Sequence, residues 1–264
     1  MTAVADVLAT AKAEGRAALI GYLPVGFPSV RDSIEAMLAM HDAGADAIEI
    51  GLPYSDPLID GPIIQTAASK ALAAGVRVAD VIAASRELAA AGAPHVVMSY
   101  WNPVLRYGVD RFAADLAEAG CSGMITPDLV PDEAADWIEA ARKHDLNRVF
   151  LVAPTSSPER IASTTAVTSG FVYAQSIMGV TGSRAVRGEE AKALVDRIRE
   201  HTDLPIGVGI GVSNAQQAAE IAAFADAVIV GTLPVRQLVE SETVADGIRR
   251  LREVIGELAE GVRR

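Results

Sequence analysis

The stretch DAIEIGLPYSDPLIDGPIIQ, which runs from Asp46 to Gln65, joins a short apolar strand pattern to a loop rich in proline, glycine and aspartate. Glu49 lies within the strand pattern and Asp60 lies within the loop, so both carboxylates can meet at one pocket. Burying a carboxylate among apolar strand residues costs free energy unless the group is paired, so an unpaired one indicates a functional role. Catalytic chemistry is therefore expected first in this stretch.

Strand-like and helix-like segments alternate around this stretch and along the 264 residues of the chain. Predicted strands span 17–22, 47–51, 95–99, 123–126, 148–152, 170–174, 206–209 and 227–230. Predicted helices span 3–14, 29–43, 63–74, 78–91, 109–119, 131–144, 158–168, 189–201, 213–222 and from 233 onward. The spacing of the units, roughly 30 residues each, and the absence of an early GxGxxG favour a (β/α)8 TIM barrel over an open doubly wound sheet.

The composition supports one large α/β domain over residues 1–264 with an extra N-terminal helix, because no linker or low-complexity tract divides the chain. The net charge of −11 argues against a nucleic-acid or membrane surface, where lysine and arginine would dominate. The single Cys121 fits a reducing compartment, and neither a signal-peptide core nor an 18-residue apolar span is evident. A cytoplasmic protein is therefore expected.

Strand alternation predicts that the side chain of Glu49 points into the barrel. If Ile48 and Ile50 pack outward on the helices, Glu49 points inward between small neighbours, which leaves room for a substrate. Desolvation would raise the pKa of this carboxyl and let it exchange protons near neutral pH. The alternative is a structural ion pair, although Arg148, at the start of a strand, is the one basic residue that the strand patterns suggest.

The pattern alone leaves the role of Asp60 open. Asp56 precedes a proline and Asp60 precedes a glycine, and aspartate is common in such turns. Alternatively, a mobile loop supplies Asp60 while the strand supplies Glu49, which is a workable acid–base arrangement. The residues by themselves do not decide between these two interpretations.

Three glycine-rich stretches lie late in the chain: GVTGSR from Gly179, GVGIGVSN from Gly207 and VGT from Val230. Loops after the seventh and eighth strands of such barrels commonly bind phosphate. Their backbone N–H groups bind an anion without a cation, which suits an acidic protein, although sharp strand–helix turns use glycine anyway. The first stretch continues as a long polar segment, which predicts either a lid or an ordinary exposed loop.

Other common catalytic patterns are missing. The four histidines, His41, His95, His144 and His201, have no ligand spacing, so no metal site is predicted. Cys121 precedes a predicted strand and is expected to be a small buried apolar residue. The sequence contains no GxSxG elbow, no P-loop and no plausible lysine on an inward strand face, which disfavours a Schiff-base aldolase.

Four motifs, taken in their order and spacing, indicate a known family: EIGLPYSDPLIDGPIIQ, PDLVPDEA from Pro127, GVTGSR and GVGIGVS. Together they closely resemble the tryptophan synthase alpha subunit family over essentially the whole chain. The resemblance implies a TIM barrel lyase that cleaves indole-3-glycerol phosphate to indole and glyceraldehyde 3-phosphate. Glu49 and Asp60 match the two catalytic carboxylates of that family.

The same resemblance assigns the rest of the site. The residues that match phosphate-binding positions are Gly182, Gly211, Gly231 and Thr232. The residues that match the walls of the indole and glycerol pocket are Tyr22, Ile64, Tyr100, Ile125, Tyr173 and Ile210. Thr232 stands where the family usually has serine, Tyr22 is often phenylalanine, and Pro234 is unusual, though proline is allowed in the first turn of a helix.

The family also implies a partner. Its members work in an α2β2 complex and pass indole through a tunnel to a beta subunit that carries pyridoxal phosphate (PLP). No cofactor is expected in this chain itself. The expected contacts with the beta subunit are the loop from Pro53 to Asp60, the pair Asn102 and Pro103, and the lid from Gly179 to Arg187.

The implied reaction is a retro-aldol cleavage in which the indole ring is the electron sink. Glu49 is expected to protonate C3 and then remove the glycerol hydroxyl proton; Asp60 is expected to bind the ring N–H and take up its proton as indole leaves. The alternative enzymes are an indole-3-glycerol-phosphate synthase, which would require a lysine pointing into the barrel, and an epimerase, which usually requires metal-binding histidines. A non-catalytic binding subunit and a free-standing lyase are the remaining alternatives.

Overall fold

Eight parallel strands close into a barrel in chain order in this computed structural model, which describes residues 3–175 and 184–264. The strands are β1 (Ala18–Pro24), β2 (Ala47–Gly51), β3 (His95–Met98), β4 (Gly123–Thr126), β5 (Asn147–Val152), β6 (Val172–Gln175), β7 (Ile206–Gly209) and β8 (Ala227–Val230). β8 pairs with β1 and completes the ring. The predicted (β/α)8 TIM barrel is therefore confirmed.

Helices follow the strands and cover the outside of the barrel. They are α1 (Ala3–Ala13), α2 (Val30–Asp42), α3 (Pro62–Ala73), α4 (Val78–Ala90), α5 (Trp101–Tyr107), α6 (Val109–Glu118), α7 (Ala135–Lys143), α8 (Pro158–Val167), α9 (Arg184–Arg199), α10 (Ala215–Ala222), α11 (Thr232–Val239) and α12 (Val244–Val262). The extra N-terminal helix α1 packs against β1 and β3, and the backbone N–H of Val4 donates to Ser122 Oγ at 3.2 Å. Within the described residues, no helix is both long enough and apolar enough to cross a membrane.

The strands are buried on both faces, as expected for a parallel sheet enclosed by helices. All residues of β1, β2, β3, β4 and β8 are buried. Their mostly apolar composition, with Val or Ile in every strand, suits this position, because such side chains pack well on a pleated surface. Glu49, in the middle of β2, is the one acidic residue in these five strands, which contain no lysine or arginine.

Two aspartates in matching positions join neighbouring strands at the N-terminal end of the barrel. Asp46, just before β2, accepts hydrogen bonds from the backbone N–H of Leu19 at 2.8 Å and from both ends of the Arg16 guanidinium at 2.9 Å. Asp226, just before β8, accepts from the backbone N–H of Ile206 at 2.7 Å and from Arg199 at 2.6 Å. Charge-assisted bonds of this kind fix β1 to β2 and β7 to β8, the strands that carry most of the site.

Four helix predictions need correction. α5 was not predicted, but Pro103 is tolerated there because it lies in the first turn, where backbone N–H groups have no intrahelical acceptor. The segment 131–144 is a 3-10 turn (Pro131–Glu133) and then α7, because Ala134 between them leaves the α-helical conformation, with φ −92° and ψ 8°. α9 begins at Arg184 rather than at residue 189.

The helix expected from residue 233 onward is two helices, α11 and α12. α12 has its own N-cap, because the Thr243 side chain accepts a hydrogen bond from the backbone N–H of Asp246 at 3.2 Å. The expected cap at Ser213 is also wrong. Asn214 caps α10 instead, and its side chain accepts from the backbone N–H of Gln217 at 2.9 Å.

Candidate active site

Glu49 lies in the middle of β2 with its side chain inside the barrel, as the alternation predicted. Only 1% of its surface is exposed, and its strand neighbours in register are Tyr22 of β1 and Val96 of β3. Within the described part of the chain, Glu49 Oε2 has no hydrogen-bond partner and no basic side chain forms an ion pair with it. Arg148 Nε instead donates to the backbone oxygen of Val167 at 3.1 Å, so the structural ion pair is not observed.

The environments of the two carboxyls push their pKa values to different levels. Burial, and after it the nearby negative charge of Asp60, together raise the pKa of Glu49 to about 8. Burial alone raises the pKa of Asp60 to about 6. At pH 7 the pair therefore consists of a protonated Glu49 and a mostly ionised Asp60, which suits an acid beside an anion.

The two carboxyls face one cavity of about 110 Å³ at the C-terminal end of the barrel. The predicted residues that line it are Tyr22, Glu49, Asp60, Ile64, Tyr173, Gly211, Gly231 and Thr232. These residues come from both ends of the chain and meet because β8 pairs with β1. Such convergence at the C-terminal face is where TIM barrels carry their active sites.

Three other predicted pocket residues lie outside the lining of this cavity. Tyr100 stacks on Tyr54, with 5.0 Å between ring centroids, and its hydroxyl accepts hydrogen bonds from the backbone N–H groups of Leu58 at 3.0 Å and Ile59 at 3.2 Å. Tyr100 thus supports the loop that carries Asp60. Ile125 is fully buried in β4.

Ile210, the third of these residues, lines a neighbouring cavity of about 830 Å³. Gly211 lines both that cavity and the one beside Glu49, so the two spaces meet at the loop after β7. Gly182 and residues 179–183 of the predicted lid lie outside the described residues.

Five further residues line the cavity and were not predicted: Ile59, Met98, Gln175, Gly209 and Ile229. Gln175 and Gly209 are the last residues of β6 and β7, so the rule that barrel sites lie at strand ends could have identified them. Met98 is likewise the last residue of β3, so the same rule covers it. Ile59 and Ile229 are apolar residues among many others, and their sequence pattern carries no distinguishing signal.

The predicted phosphate positions precede two helix N-termini. Gly231 is the N-cap of α11, Thr232 is its first residue, and Gly211 lies shortly before α10. Gly211 has φ +74°, a left-handed conformation that favours glycine even though a Cβ there would meet no atom within 4 Å. Backbone N–H groups at helix N-termini bind anions, so this edge of the cavity suits a phosphate.

Metal chemistry has no counterpart among these side chains. Across residues 3–175 and 184–264, no group of three or more histidine, cysteine, aspartate or glutamate side chains could hold a metal ion. His95 is buried at the start of β3, where its Nε2 lies 2.6 Å from Ser85 Oγ. Cys121 is buried, and burial raises the pKa of its thiol to about 11.

Comparison with known proteins gives a consistent result. A family model described as Tryptophan synthase alpha chain matches residues 8–263. The tryptophan synthase alpha chain of Streptomyces avermitilis is 58% identical over 261 residues, which cover 98% of this chain and 94% of that protein. The tryptophan synthase alpha chain of Mycobacterium tuberculosis is 54% identical over 257 residues, which cover 97% and 93%.

Solved structures agree with the sequence comparison. A crystal structure of tryptophan synthase from M. tuberculosis, in an open form with BRD0059 bound, matches with a TM-score of 0.92 and 50% identity, covering 100% of this chain and 99% of that one. The tryptophan synthase subunit alpha from Legionella pneumophila matches with a TM-score of 0.90 and 31% identity, covering 99% and 98%. The chain therefore belongs to the tryptophan synthase alpha chain family and is a lyase that cleaves indole-3-glycerol phosphate in tryptophan biosynthesis.

Proposed function

We propose that Glu49 and Asp60 are the two groups that cleave the substrate in this chain. The observation that carries this proposal is a buried, protonated Glu49 and an ionised Asp60 facing the same cavity. Pairs of carboxyls with separated pKa values are suited to distinct acid and base roles. Glu49 is the proton-transfer group, and Asp60 is the electrostatic partner of the indole ring.

The reaction begins with proton transfer from Glu49 to C3 of the indole ring. The ring becomes a cation, and Asp60 accepts a hydrogen bond from the ring N–H and stabilises the charge. Glu49, now ionised, removes the proton from the hydroxyl on the glycerol carbon that is bonded to C3. The carbon–carbon bond breaks, its electron pair returns to the ring, and indole and glyceraldehyde 3-phosphate are formed.

The proton balance limits the role of Asp60. Glu49 gives one proton to C3 and receives one from the hydroxyl, so it ends in its starting state. The returning electron pair neutralises the ring, and the nitrogen of indole keeps its proton. Asp60 therefore needs only to accept a hydrogen bond, and the expectation that it takes up the ring proton is unnecessary.

The substrate is proposed to lie across the mouth of the barrel. Its phosphate is proposed to bind the backbone at Gly211, Gly231 and Thr232, where helix N-termini offer N–H donors to an anion in a chain of net charge −11. Gly182, which lies outside the described residues, is proposed as a further phosphate contact from the family resemblance alone. The indole and glycerol parts of the substrate are proposed to contact Tyr22, Ile64 and Tyr173, which line the cavity. Contacts with Tyr100, Ile125 and Ile210, which lie outside that lining, are proposed from the family resemblance alone. Holding the substrate at its phosphate orients C3 toward Glu49.

The proposed partner is a beta subunit that carries PLP, in an α2β2 complex. The proposed contacts are the loop from Pro53 to Asp60, Asn102, Pro103, and the lid from Gly179 to Arg187. Two large apolar side chains in or beside these contacts are exposed, Leu58 by 75% and Leu105 by 55%. Val130, which is 42% exposed, lies in the loop after β4 at the same end of the barrel. Exposed apolar side chains grouped at one end of a molecule support a protein contact there.

The test is indole release from indole-3-glycerol phosphate, measured with and without a beta subunit. Glu49→Gln is expected to lower kcat by about 10²- to 10⁴-fold, the range typical of a lost general acid or base. Asp60→Asn is expected to leave KM close to its original value and to lower kcat. Glu118→Gln, an exposed residue on α6, is the matched control and should be fully active.

Near-normal turnover by Glu49→Gln would refute its proton-transfer role, and unimpaired turnover by Asp60→Asn would refute the electrostatic role. Absence of indole release by the unmodified chain under both conditions would overturn the assignment of these residues as a catalytic pair. Thermal unfolding of each variant shows whether a loss of activity reflects chemistry rather than folding.

A further inference from the structure

The hydroxyl of Tyr22 is a polar group in the site, and the proposed reaction does not use it. Tyr22 lies on β1 in register with Glu49 on β2, so both side chains enter the barrel side by side. The residue is 7% exposed and lines the same cavity as both carboxyls. Its hydroxyl forms no hydrogen bond with any residue in the described part of the chain.

Two glycines form a slot that fixes the ring of Tyr22. A Cβ at Gly51 would lie 2.6 Å from two of the ring carbons and even closer to the hydroxyl, so any side chain there would displace the ring. On the other side, a Cβ at Gly231 would lie 3.3 Å from Cδ1 of the ring. The ring is therefore held between β2 and β8.

The slot also sets the position of the hydroxyl along the barrel axis. Gly51 is two residues beyond Glu49 on β2, toward the C-terminal end, and the hydroxyl lies beside it. The hydroxyl is thus further toward the mouth of the barrel than the backbone of Glu49. Ile59 and Asp60 of the loop after β2 line the same cavity.

Asp60 has an unused acceptor at the same place. Its backbone oxygen accepts a hydrogen bond from Gln65 Nε2 at 2.8 Å, but its carboxylate accepts none from the described residues. A carboxylate has about four lone-pair positions, so it can accept from a tyrosine hydroxyl and an indole N–H together. The Tyr22 hydroxyl, which lacks an acceptor within the described residues, and the Asp60 carboxylate, which lacks a donor there, therefore line the same cavity.

The charges around Tyr22 favour this pairing. Burial raises the pKa of Tyr22 most, and the negative charges of Asp60 and then Glu49 raise it further, followed by Tyr100 and Tyr173. The hydroxyl consequently keeps its proton throughout the neutral range and can only act as a neutral donor to a carboxylate. For Tyr173 the order is reversed, with Glu49 ahead of Asp60.

We propose that Tyr22 is a positioning residue: its hydroxyl donates a hydrogen bond to the Asp60 carboxylate and holds it toward the ring N–H of the substrate. This inference rests on the proposed role of Asp60. A hydrogen bond to the charged form favours ionisation, so Tyr22 extends the range in which Asp60 is an anion. The two-glycine slot supplies the rigidity that a positioning group requires.

The test is the pH dependence of kcat for Tyr22→Phe, assayed as indole release with the beta subunit present. Phenylalanine fills the same slot and removes only the hydroxyl. The unmodified enzyme is expected to show a bell-shaped profile with an alkaline limb from Glu49 near 8. Its acid limb from Asp60 should lie below 6, because the pKa of about 6 reflects burial without the hydrogen bond from Tyr22. Tyr22→Phe should move the acid limb upward by about one pH unit, as expected for a lost bond to a charged group.

Tyr173→Phe is the matched control, because Tyr173 packs in the same way over Gly209 of the neighbouring strand. After burial, its pKa is raised first by the charge of Glu49 and only then by that of Asp60, so we expect loss of its hydroxyl to leave the acid limb from Asp60 in place. At about pH 5, kcat should therefore fall about five- to ten-fold further in Tyr22→Phe than in Tyr173→Phe. A separate KM measurement distinguishes this role from direct binding of the substrate.

An acid limb that does not move in Tyr22→Phe would overturn the inference, and so would a raised KM with an unchanged pH profile. These outcomes are distinct from failure of the proposed function. If Asp60→Asn turned over at the normal rate, the role of Asp60 itself would be refuted. If Asp60→Asn is slow and the Tyr22→Phe profile is unshifted, only the role of Tyr22 is refuted.

Discussion

The buried carboxyl of Glu49 costs stability, and the proposed chemistry requires it. Its pKa is 4.5 in an ordinary setting and about 8 in the folded chain. The fold thus favours the protonated form, so the full stability is present below pH 4.5 and is lost progressively as pH rises to 8. Above pH 8 the loss amounts to several kcal/mol, since each pKa unit corresponds to about 1.4 kcal/mol.

Glu49→Gln should therefore be inactive yet more stable than the unmodified chain at alkaline pH. Glutamine keeps the size and cannot ionise, so the gain in free energy of unfolding should be several kcal/mol at pH 9 and much smaller at pH 4.5. Urea unfolding at the two pH values measures the difference. A gain that is equal at both pH values would contradict the ionisation argument, and Glu118→Gln should show no such dependence.

Individual site residues differ in how far the sequence could predict them. The inward direction of Glu49 follows from alternation within one strand, which is local information. Asp60 stayed ambiguous because an aspartate in a turn has the same pattern whether it faces a cavity or solvent. The slot around Tyr22 could not be predicted, because it depends on the register of β2, which places Gly51 beside the ring, and on barrel closure, which brings Gly231, just after β8, next to β1.

At the scale of elements, strands were more predictable than helix ends. The ranges of β2, β4, β7 and β8 agree with the predictions, because short apolar runs between turn residues mark buried parallel strands. Helix starts were missed where the cap depends on a single side chain. Ser213 and Asn214 are both good N-cap residues, so sequence alone could not rank them.

The structure ranks these two caps and makes the ranking testable. Asn214 Oδ1 accepts from the backbone N–H of Gln217, whereas Ser213 Oγ lies 2.9 Å from the Gln217 side chain instead. Asn214→Ala should lower the free energy of unfolding by about 1 kcal/mol, and Ser213→Ala by only a few tenths. Paired urea unfolding curves measure both. A larger effect at Ser213 would show that the helix begins there.

For the molecule as a whole, closure of the barrel is the step that assembles the site. Tyr22 near the start of the chain and Gly231 near its end become neighbours because β1 pairs with β8. The alternating pattern predicted this topology but could not predict which side chains meet across it, since such contacts depend on register and tilt. The same closure brings the loops after β2, β3 and β4 to one end, where the exposed apolar residues lie.

If a beta subunit binds at that end of the barrel, a change at Leu58 should alter its affinity for this chain. Leu58→Ser removes an exposed apolar side chain but keeps the backbone N–H that donates to Tyr100, so the loop should keep its shape. We expect the Kd for a beta subunit to rise about ten-fold, as for a moderately important interface residue, while indole release by the isolated chain stays within about two-fold of its original value. Titration calorimetry with the beta subunit measures the first quantity, and a steady-state assay measures the second.

Leu105→Ser on α5 and Val130→Ser after β4 should also weaken binding, because both exposed side chains lie at the same end of the barrel as the proposed contacts. Glu118→Gln, an exposed residue on α6, is the control and should leave Kd unchanged. Burying an apolar side chain against a partner gives a negative heat-capacity change, so the three serine variants should also bind with a smaller one. If all three bound the beta subunit as tightly as the unmodified chain, the partner would have to approach the barrel elsewhere.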